Sequence, residues 1–592
     1  MDPVRDGFKF LENKAIIRSR GRTCDTAGEL LSSAPFRRFL ECILHRLSRR
    51  NSRLIGIFGS RVIDDASVTL LIQTLQYLTI LDGNVIPNLL PGSDVFFEDP
   101  DLLSGFVTYL YDAWSNYDRF VIVCGPDADP LDDRPYRTFN DTVERLMHLV
   151  RGTYRDIQES ITRKHPRVYR QVRAGADFGV IVSQKSQAAA WVKRLGGPYA
   201  KLEQIPVARQ VMLYPPLVLD PPLNRRTGQF QRVQENPLDL VELAVEEWIC
   251  YPAMVGELLI LVYIHERFLE LGLSLCNLFE LASDEDLEGG PDAIYLFGVP
   301  GDGLNRLGAL PTVFYDDPDR GVLVSAIPNA DRFGYFGYLK KMMLTLHNIQ
   351  MMKRGRFPFH GALSRIRLRD EYHSILLIGD TGAGKSETLE AFRVLSEDRI
   401  QDMVIIADDM GSLDTGDGHV RGYGTELGAF IRLDDLQPGY EFGQMGRAIF
   451  MSPTKTNARL LLPVTSYSDV VRGSTIDMVL YANNYEQVDE DHPIIERFRD
   501  SKAALRVFEE GRVMSKGTTT SQGIVESYFG NVFGPPQYRT MHDQIARLTF
   551  DRLFADDIFV GVIRTRLGLP GWETRGPVEA ARALIDLIVD QH

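Results

Sequence analysis

The first third of the chain alternates two kinds of hydrophobic pattern. Short apolar runs at 54–58, 120–123 and 178–182 have the length, and the content of branched and aromatic residues, that are typical of strands. Residues 138–154 instead repeat apolar positions at the three- and four-residue spacing of an amphipathic helix. Alternation of this kind predicts an α/β fold.

The pattern changes over about 187–320. A proline-rich run, YPPLVLDPPLNRR, precedes an apolar stretch over 238–281 that we predict to be strongly helical, and an acidic loop, SDEDLEGGPD, follows it. The most apolar part, 254–264, carries Glu257 and is shorter than a membrane span, so we predict a buried helix there. We interpret about 187–320 as a helical insertion or subdomain.

Strand patterns return after residue 321 and continue toward the end of the sequence. At 592 residues the chain is too long for one ordinary hydrophobic core. We therefore predict two domains, an N-terminal α/β domain over 1–325 that contains the insertion and a C-terminal domain over 326–592.

The most informative motif lies in the stretch SILLIGDTGAGKSETLEAF, residues 374–392, where a strand-like run enters a glycine-rich turn and a helix-forming run leaves it. The turn fits the P-loop pattern G-x-x-x-x-G-K-[ST], in which backbone N–H groups and the helix N-terminus surround a phosphate. A chance match is disfavoured because strand and helix both stand where the mechanism needs them. The predicted nucleotide-binding residues are Gly379, Asp380, Thr381, Gly382, Ala383, Gly384, Lys385, Ser386 and Glu387.

Within this motif, Lys385 would neutralise the outer phosphates, and the Ser386 hydroxyl can bind a divalent metal ion. Glu387 lies in the first helical turn, where a carboxylate is also favourable simply because of the helix dipole. The motif therefore predicts a nucleoside triphosphate site.

The amino-acid composition limits the classes of partner and the cellular compartment that we expect for this protein. The formal net charge of -14 disfavours nucleic acid and anionic membranes as partners, although a local basic cleft stays compatible with it. Five cysteines are scattered without C-x-x-C spacing, which indicates a reducing compartment. The first residues contain no apolar run of a secretion signal, so we expect a cytoplasmic protein.

A second motif supplies carboxylates. The apolar run MVIIADDMGSLD places Asp408 and Asp409 at the predicted end of a strand, with Asp409 24 positions after Lys385. Phosphoryl transfer needs a metal ion held near the β- and γ-phosphates, and aspartates at a strand end are typical of that role.

Upstream, Lys340 and Lys341 are adjacent between apolar residues, and His360 lies between Phe359 and Gly361. Taken singly, these are most simply a solvated lysine pair and a core histidine.

Together these residues resemble the phosphoenolpyruvate carboxykinase family and, more distantly, the HPr kinases, which share its P-loop fold. The family pattern Y-x-G-x-x-K-K is similar to Tyr335–Lys341, and His360 follows Lys341 by the 19 positions that the family shows. The family's G-D-D motif resembles 407–409, and its E-N-x-R-x-x-x-P motif resembles 456–463, with Arg459 as the arginine. The stretches DRFVIVCGPDADPLDDRPYRTF, GTTTSQGIVESYFG and VGVIRTRLGLPGWETRGPVEAARALIDLI add softer similarity.

The resemblance implies a two-domain carboxykinase fold, with the substrate on the N-terminal side and the P-loop nucleotide and metal sites in the C-terminal domain. It implies ATP, Mg²⁺ and Mn²⁺ as cofactors. Lys341, His360 and Asp409 would hold manganese, and Ser386 would hold magnesium with the nucleotide. The residues implied in catalysis are Arg61, Tyr335, Lys340, Lys385 and Arg459.

The resemblance to the family is weakest in the loop that is expected to bind the phosphoryl acceptor. The family loop G-R-S-P-K-D-K is similar to GIFGSRVIDD, in which Arg61 would bind a substrate carboxylate. The basic residues that follow in the family are replaced here by Val62, Ile63, Asp64 and Asp65. The P-loop continues as Gly384-Lys385-Ser386-Glu387, which resembles the HPr kinase version.

Three alternative functions are compatible with these motifs. The first is carboxykinase chemistry, in which oxaloacetate and ATP give phosphoenolpyruvate, CO₂ and ADP, with a small anionic substrate and no nucleic acid or membrane partner. The second is a kinase on the same fold with a different small-molecule or protein acceptor, for which Asp408 is the expected general base. The third is a catalytically inactive nucleotide-binding regulator.

Overall fold

The computed structural model describes residues 7–11, 13–19, 24–124, 134–163, 173–184, 186–226, 230–308, 312–369, 371–395, 400–416, 418–433, 446–515 and 523–590. Parts of the stretches DRFVIVCGPDADPLDDRPYRTF and GTTTSQGIVESYFG lie outside these residues. The described chain is a mixed α/β protein, as the sequence predicts.

The chain divides into two compact units. The first comprises 1–185 together with 206–214, and the second comprises 186–205 together with 215–592. The boundary expected from the sequence, at residue 325, falls inside the second unit.

The first unit contains a mixed sheet in the order β1-β2-β3-β4-β5, in which β2, β3 and β4 are parallel and the outer pairings are antiparallel. Its strands are β1 (Gly7–Phe10), β2 (Lys14–Ser19), β3 (Asp118–Cys124), β4 (Phe178–Ser183) and β5 (Val207–Leu213). Its helices are α1 (Ala27–Ser32), α2 (Ala34–Arg49), α3 (Asp65–Leu78), α4 (Ile86–Leu89), α5 (Pro100–Ser115) and α6 (Arg134–Thr162). The predicted strands at 120–123 and 178–182 and the predicted helix over 138–154 are confirmed.

The strand predicted at 54–58 is wrong, because this segment is a 3-10 helix, Arg53–Phe58. The Ser52 side chain caps its first turn by accepting from the backbone N–H of Leu54, and Gly59 ends it at a φ of +55°. A five-residue apolar run carries too few positions for its period to be read, so these end signals decide the conformation.

The second unit contains two large sheets. One follows the order β8-β9-β11-β13-β12-β7, and the other follows β22-β18-β17-β14-β15-β23-β27-β24, with β16 also paired to β14. The strands are β6 (Leu217–Leu219), β7 (Gln231–Val233), β8 (Trp248–Val255), β9 (Leu258–His265), β10 (Glu280–Leu281), β11 (Ala293–Val299), β12 (Val313–Asp317), β13 (Val322–Pro328), β14 (Phe357–Leu368), β15 (Glu371–Ile378), β16 (Asp402–Ala407), β17 (Met410–Asp414), β18 (Arg421–Gly424), β19 (Gly428–Arg432), β20 (Ile449–Met451), β21 (Arg459–Pro463), β22 (Ser474–Thr475), β23 (Met478–Asn483), β24 (Ile495–Arg497), β25 (Val513–Ser515), β26 (Gly523–Val525) and β27 (Phe559–Arg564).

Two smaller sheets complete the second unit, β19-β21-β20-β6 and the pair β25-β26. The helices of this unit are α7 (Gln187–Leu195), α8 (Leu269–Leu273), α9 (Asp284–Glu288), α10 (Gly301–Leu304), α11 (Phe336–Lys353), α12 (Lys385–Leu395), α13 (Tyr467–Val471), α14 (Ser501–Glu510), α15 (Arg539–Ala555) and α16 (Arg575–Asp590). Among the residues described, no helix is long and apolar enough to cross a membrane.

The helical character predicted for 187–320 is wrong. The apolar stretch predicted to be a buried helix is an antiparallel hairpin of β8 and β9, turned at Gly256 and Glu257, and β11 and β12 follow it. Every residue of β8 is buried, so this strand is covered on both faces. A strand of that kind is apolar at successive positions and lacks the alternation that distinguishes a strand from a helix.

Candidate functional site

The glycine-rich loop joins strand β15 to helix α12, as the sequence predicts. Gly382 and Gly384 adopt positive φ values of +84° and +99°, which side-chain-bearing residues rarely adopt. A Cβ atom on Gly384 would lie 2.6 Å from Oγ1 of Thr565. Both the backbone conformation and this close packing therefore require glycine at position 384.

Neighbouring strands and loops hold the glycine-rich loop in place. The Asn484 side-chain amide donates to the carbonyl of Gly382 at 2.9 Å, and the Thr565 hydroxyl donates to the carbonyl of Ala383 at 2.7 Å. Ser527 donates to the Asp380 carboxylate at 2.8 Å. These bonds come from segments far apart in sequence, so the shape of the loop is set by the surrounding fold.

Lys385 is buried beside this loop. Its ammonium donates to the carbonyls of Gly379 at 2.6 Å and Asp380 at 3.0 Å. Burial lowers the pKa of Lys385, although the carboxylates of Asp409 and Asp380 oppose that effect. The side chain thus places a cation within the loop that the motif predicts to bind phosphate.

Asp408 and Asp409 directly follow β16, as predicted, and Asp409 joins two other predicted residues. Its Oδ2 lies 2.7 Å from Nζ of Lys340, and its Oδ1 lies 2.9 Å from Nε2 of His360. Burial alone would raise the pKa of Asp409, but Lys340 and His360 hold it well below its usual range. The carboxylate is therefore ionised near neutral pH.

Glu426 is a site residue that the sequence analysis missed. Its Oε1 lies 2.9 Å from Nζ of Lys340, and its Oε2 accepts from the Thr425 hydroxyl at 2.9 Å. Burial raises the pKa of Glu426 to about 7, although the charge of Lys340 opposes this. Burial would lower the pKa of Lys340, and Asp409 and Glu426 raise it instead. The one sequence signal was a lone acid inside the otherwise uncharged run GYGTELGAF.

Lys341 has a different environment from Lys340. Its ammonium lies 4.7 Å from the centre of the Phe533 ring. Burial, followed by the charge of Arg226, lowers the pKa of Lys341 to about 8. A substantial fraction of Lys341 is therefore neutral at mildly alkaline pH, which is the form in which a lysine can bind a metal ion.

The chemistry of two of the predicted manganese ligands fits a divalent ion. His360 Nε2 and Asp409 Oδ1 lie 2.9 Å apart, and imidazole nitrogen and carboxylate oxygen are both ligands that divalent ions take in proteins. The lowered pKa of Lys341 fits the third ligand. Among the residues described, no group of three or more His, Cys, Asp and Glu is arranged to hold a metal ion.

A cavity of about 1100 Å³ in the second unit brings most of the predicted residues together. Those that line it are Tyr335, Lys340, Lys341, His360, Thr381, Gly382, Lys385, Ser386, Glu387, Asp408, Asp409 and Arg459. The lining also contains arginines that the sequence analysis did not indicate, Arg225, Arg226 and Arg432. Gly379, Asp380, Ala383 and Gly384 belong to the loop without lining the cavity.

The spacing of the Tyr-x-Gly pattern has a packing reason. Tyr335 precedes helix α11, and a Cβ atom on Gly337 would lie only 2.2 Å from Cε1 of the Tyr335 ring. Glycine at 337 therefore lets the tyrosine ring fold over the first turn of the helix. Tyr335 and Lys341 consequently line the same cavity.

Arg61 belongs to the first unit. A Cβ atom on Gly92 would lie 2.9 Å from its guanidinium, so the side chain packs against the backbone of Gly92. The two acids that follow it have local roles. Asp64 caps helix α3 by accepting from the Ser67 N–H at 2.8 Å, and Asp65 pairs with Arg37 at 3.0 Å. The role of Arg61 in substrate binding stays a prediction.

No model of a known protein family matches the chain, and no match was found among curated proteins.

Proposed function

We propose that this chain transfers the γ-phosphoryl group of ATP to a small anionic acceptor, on a fold of the carboxykinase kind. The observation that carries the proposal is the cavity that collects the glycine-rich loop, the Asp409–His360 pair, Tyr335 and Arg459. Phosphoryl transfer depends mainly on positioning and on stabilisation of charge, and this cavity contains cations and possible metal ligands around one space.

Each side chain would have a distinct task. The loop backbone and Lys385 would bind the phosphates, and Ser386 would hold Mg²⁺ with the nucleotide. Lys341 in its neutral form, His360 and Asp409 would hold Mn²⁺. When bound, the two divalent ions neutralise charge on the phosphates and on the acceptor oxygen.

Oxaloacetate is the first acceptor to test. The bond between its carbonyl-bearing fragment and the departing carboxylate breaks, CO₂ leaves, and the electron pair remains on the fragment as an enolate. The enolate oxygen attacks the γ-phosphorus, and ADP leaves. Lys340 and Arg459 would stabilise the negative charge on the reacting groups, and Tyr335 would contact the substrate. An enolate is already nucleophilic, so this route needs no general base.

A hydroxyl-phosphorylating kinase is the second candidate, because Asp408 lines the same cavity as Lys385 and Ser386 of the glycine-rich loop. A hydroxyl acceptor has to lose its proton, and a carboxylate close to the phosphoryl donor can accept it. In that case Asp408→Asn would slow transfer by about 10²-fold or more.

The deciding experiment is a direct assay for phosphoenolpyruvate with purified protein, ATP, Mg²⁺, Mn²⁺ and oxaloacetate. We expect product with the wild-type protein and at least about a hundredfold loss in Lys341→Ala and His360→Ala. His492→Ala is the matched control, because His492 is exposed and pairs only locally with Asp489 among the contacts described.

The negative outcomes separate the alternatives. ATP binding without phosphoenolpyruvate would contradict carboxykinase chemistry, and transfer from labelled ATP to another acceptor would then identify a kinase. ATP that binds and is never consumed with any acceptor would indicate a nucleotide-binding regulator.

A further inference from the structure

The first unit contains a cavity of its own, with a volume of about 550 Å³. It is lined by the hairpin of β1 and β2 and by helices of the same unit, chiefly α2, α5 and α6. None of its described lining residues also lines the cavity that contains the glycine-rich loop. Binding sites for small molecules in proteins have volumes of about 300 to 1,000 Å³. The cavity of the first unit is therefore large enough for a small organic molecule.

The hairpin contributes one apolar face to this cavity. Phe8 pairs with Ile17 across the two strands, and Phe10 lies two positions beyond Phe8. Side chains at alternating positions of a strand, and those of directly paired residues, share a face of the sheet. All three side chains line the cavity, and each is only partly buried. A bound apolar molecule would remove this surface from water, which is favourable.

The helices contribute a buried wall that is rich in aromatic rings. Phe39 of α2 and Leu146 of α6 are buried and line the cavity. The Phe39 ring centre lies 5.8 Å from that of Trp114, and the rings of Tyr111 and Tyr154 stack with their centres 4.1 Å apart. Aromatic rings pack favourably against one another, so this wall suits a ligand with an aromatic body.

The lining carries no net charge. Arg18 and Glu29 are the charged side chains among the described lining residues, and their charges are opposite. Burial raises the pKa values of Tyr111 and Cys24, so both of these side chains are neutral near pH 7. An ion that entered this apolar space would lose its hydration without meeting a net opposite charge. The cavity therefore suits an uncharged molecule.

Thr153 places one buried hydroxyl in the wall. This residue lines the cavity and is 5 % exposed, and its Oγ1 has no hydrogen-bond partner among the described residues. A threonine within a helix often donates to the carbonyl four positions earlier, and Thr162 on the same helix does so, to Gln158 at 2.8 Å. A buried hydroxyl without a partner is costly, and a ligand with a hydrogen-bonding group can supply the missing partner.

We propose that the cavity of the first unit is a binding site for a small uncharged molecule with an aromatic body and one hydrogen-bonding group, which Thr153 bonds. The site is independent of the proposed phosphoryl transfer, because no residue assigned to that reaction lines this cavity. It gives the first unit a ligand of its own.

Displacement of a fluorescent dye from the full-length protein tests this inference. The dye is N-phenyl-1-naphthylamine, which is uncharged and fluoresces more strongly in apolar surroundings. The competitors are naphthalene, 1-naphthol and 1-naphthalenesulfonate, which share one ring system and differ in their polar group. We expect the dye to bind the wild type and 1-naphthol to displace it. The sulfonate should compete at least about tenfold more weakly than 1-naphthol, because it is charged.

Thr153→Val tests the hydrogen bond, since valine has nearly the shape of threonine and lacks the hydroxyl. We expect the affinity for 1-naphthol to fall by about fivefold, because one hydrogen bond is lost, and the affinity for naphthalene to change by less than about twofold. Direct titration of the dye with each variant supplies the dissociation constant that the displacement analysis needs. This variant keeps the inference testable if a bulkier substitution fails to fold.

Val150→Trp tests the location of the site. Val150 lines the cavity from α6 and is partly exposed, so a tryptophan there would occupy part of the space. We expect dye affinity to fall by at least about tenfold. His148→Trp is the matched control, because it adds the same ring at an exposed position of the same helix that does not line the cavity. The control should bind the dye within about twofold of the wild type, and circular dichroism checks that both variants are folded.

Several results would overturn the inference. They are failure of the wild type to bind the dye, equal losses in Val150→Trp and His148→Trp, and a sulfonate that competes as well as 1-naphthol. Equal effects of Thr153→Val on 1-naphthol and naphthalene would show that Thr153 does not bond the ligand. A dimer in sedimentation velocity that excludes the dye and that Val150→Trp dissociates would show instead that a second copy of the chain covers the cavity.

Discussion

Lys340 and Glu426 form a buried ion pair, with Nζ of Lys340 lying 2.9 Å from Oε1 of Glu426. The same ammonium lies 2.7 Å from Asp409, so one cation joins two carboxylates that come from different loops. Because Asp409 also contacts His360, this pair connects the helix α11 to the predicted metal ligands. Glu426 thus helps to determine where Lys340, and through it Asp409, is held.

Removal of Glu426 should destabilise the protein. In Glu426→Ala a buried cation loses one of its two partners, and we expect the free energy of unfolding to fall by about 3 kcal/mol. Glu509→Ala removes a partner from the exposed Arg539–Glu509 pair and should cost less than about 1 kcal/mol. Urea denaturation of both variants measures the difference, and equal effects would show that the buried pair contributes no more than a surface pair.

Gly384→Ala should weaken nucleotide binding by about tenfold or more. The substitution introduces a Cβ atom 2.6 Å from Thr565 and places alanine at a φ of +99°, so the loop backbone has to move. Gly289→Ala is the control, because Gly289 has an ordinary φ of -70° and no atom within 4 Å of its added Cβ. Fluorescence titration with a labelled ATP analogue gives both affinities, and unchanged binding in Gly384→Ala would contradict a nucleotide role for this loop.

Gly337→Ala should affect the acceptor rather than the nucleotide. An added Cβ atom would collide with the Tyr335 ring at 2.2 Å, so the ring has to leave its place over the first turn of α11. We expect KM for the acceptor to rise by about tenfold with little change in nucleotide affinity. The informative quantity is the change in KM for the acceptor relative to the change in nucleotide affinity. If acceptor and nucleotide binding weaken by a similar factor, the substitution has disturbed the second unit in general.

Stability should fall as the pH decreases below 6.5. Burial lowers the pKa values of His347 and His542 from 6.5 to about 4 in the folded protein. Between these values the unfolded chain binds more protons than the folded chain, so the stabilisation is complete above pH 6.5 and is lost as the pH falls toward 4. When the pH is lowered from 7 to 5, each of these two histidines should reduce the free energy of unfolding by about 2 kcal/mol.

Urea denaturation at pH 7 and pH 5 checks this dependence. His347→Gln and His542→Gln should each reduce the difference in unfolding free energy between the two pH values, even if they lower stability at pH 7. A pH difference that is the same in the wild type and in both variants would mean that these two buried histidines do not titrate as described.

The sequence by itself determined the parts of this protein whose signals are local. The glycine-rich loop between β15 and α12 and the aspartates after β16 were predictable, because a short apolar run and the residues that end it lie within about twenty positions of one another. The helix over 138–154 was predictable for the same reason, since its period repeats over several turns.

The tertiary structure decided the rest. The hairpin of β8 and β9 is apolar at nearly every position because it is covered on both faces, and this cover comes from elements distant in sequence. Arg226 and Arg459 line the same cavity, and a bond from the Asn457 side chain to the Asn224 carbonyl joins segments more than two hundred positions apart. Glu426 likewise lies 2.9 Å from Lys340, although the two residues are far apart in the sequence. Contacts of this length leave no periodic signal along the chain, so the Asn224–Asn457 bond and the buried ion pair are properties of the folded protein.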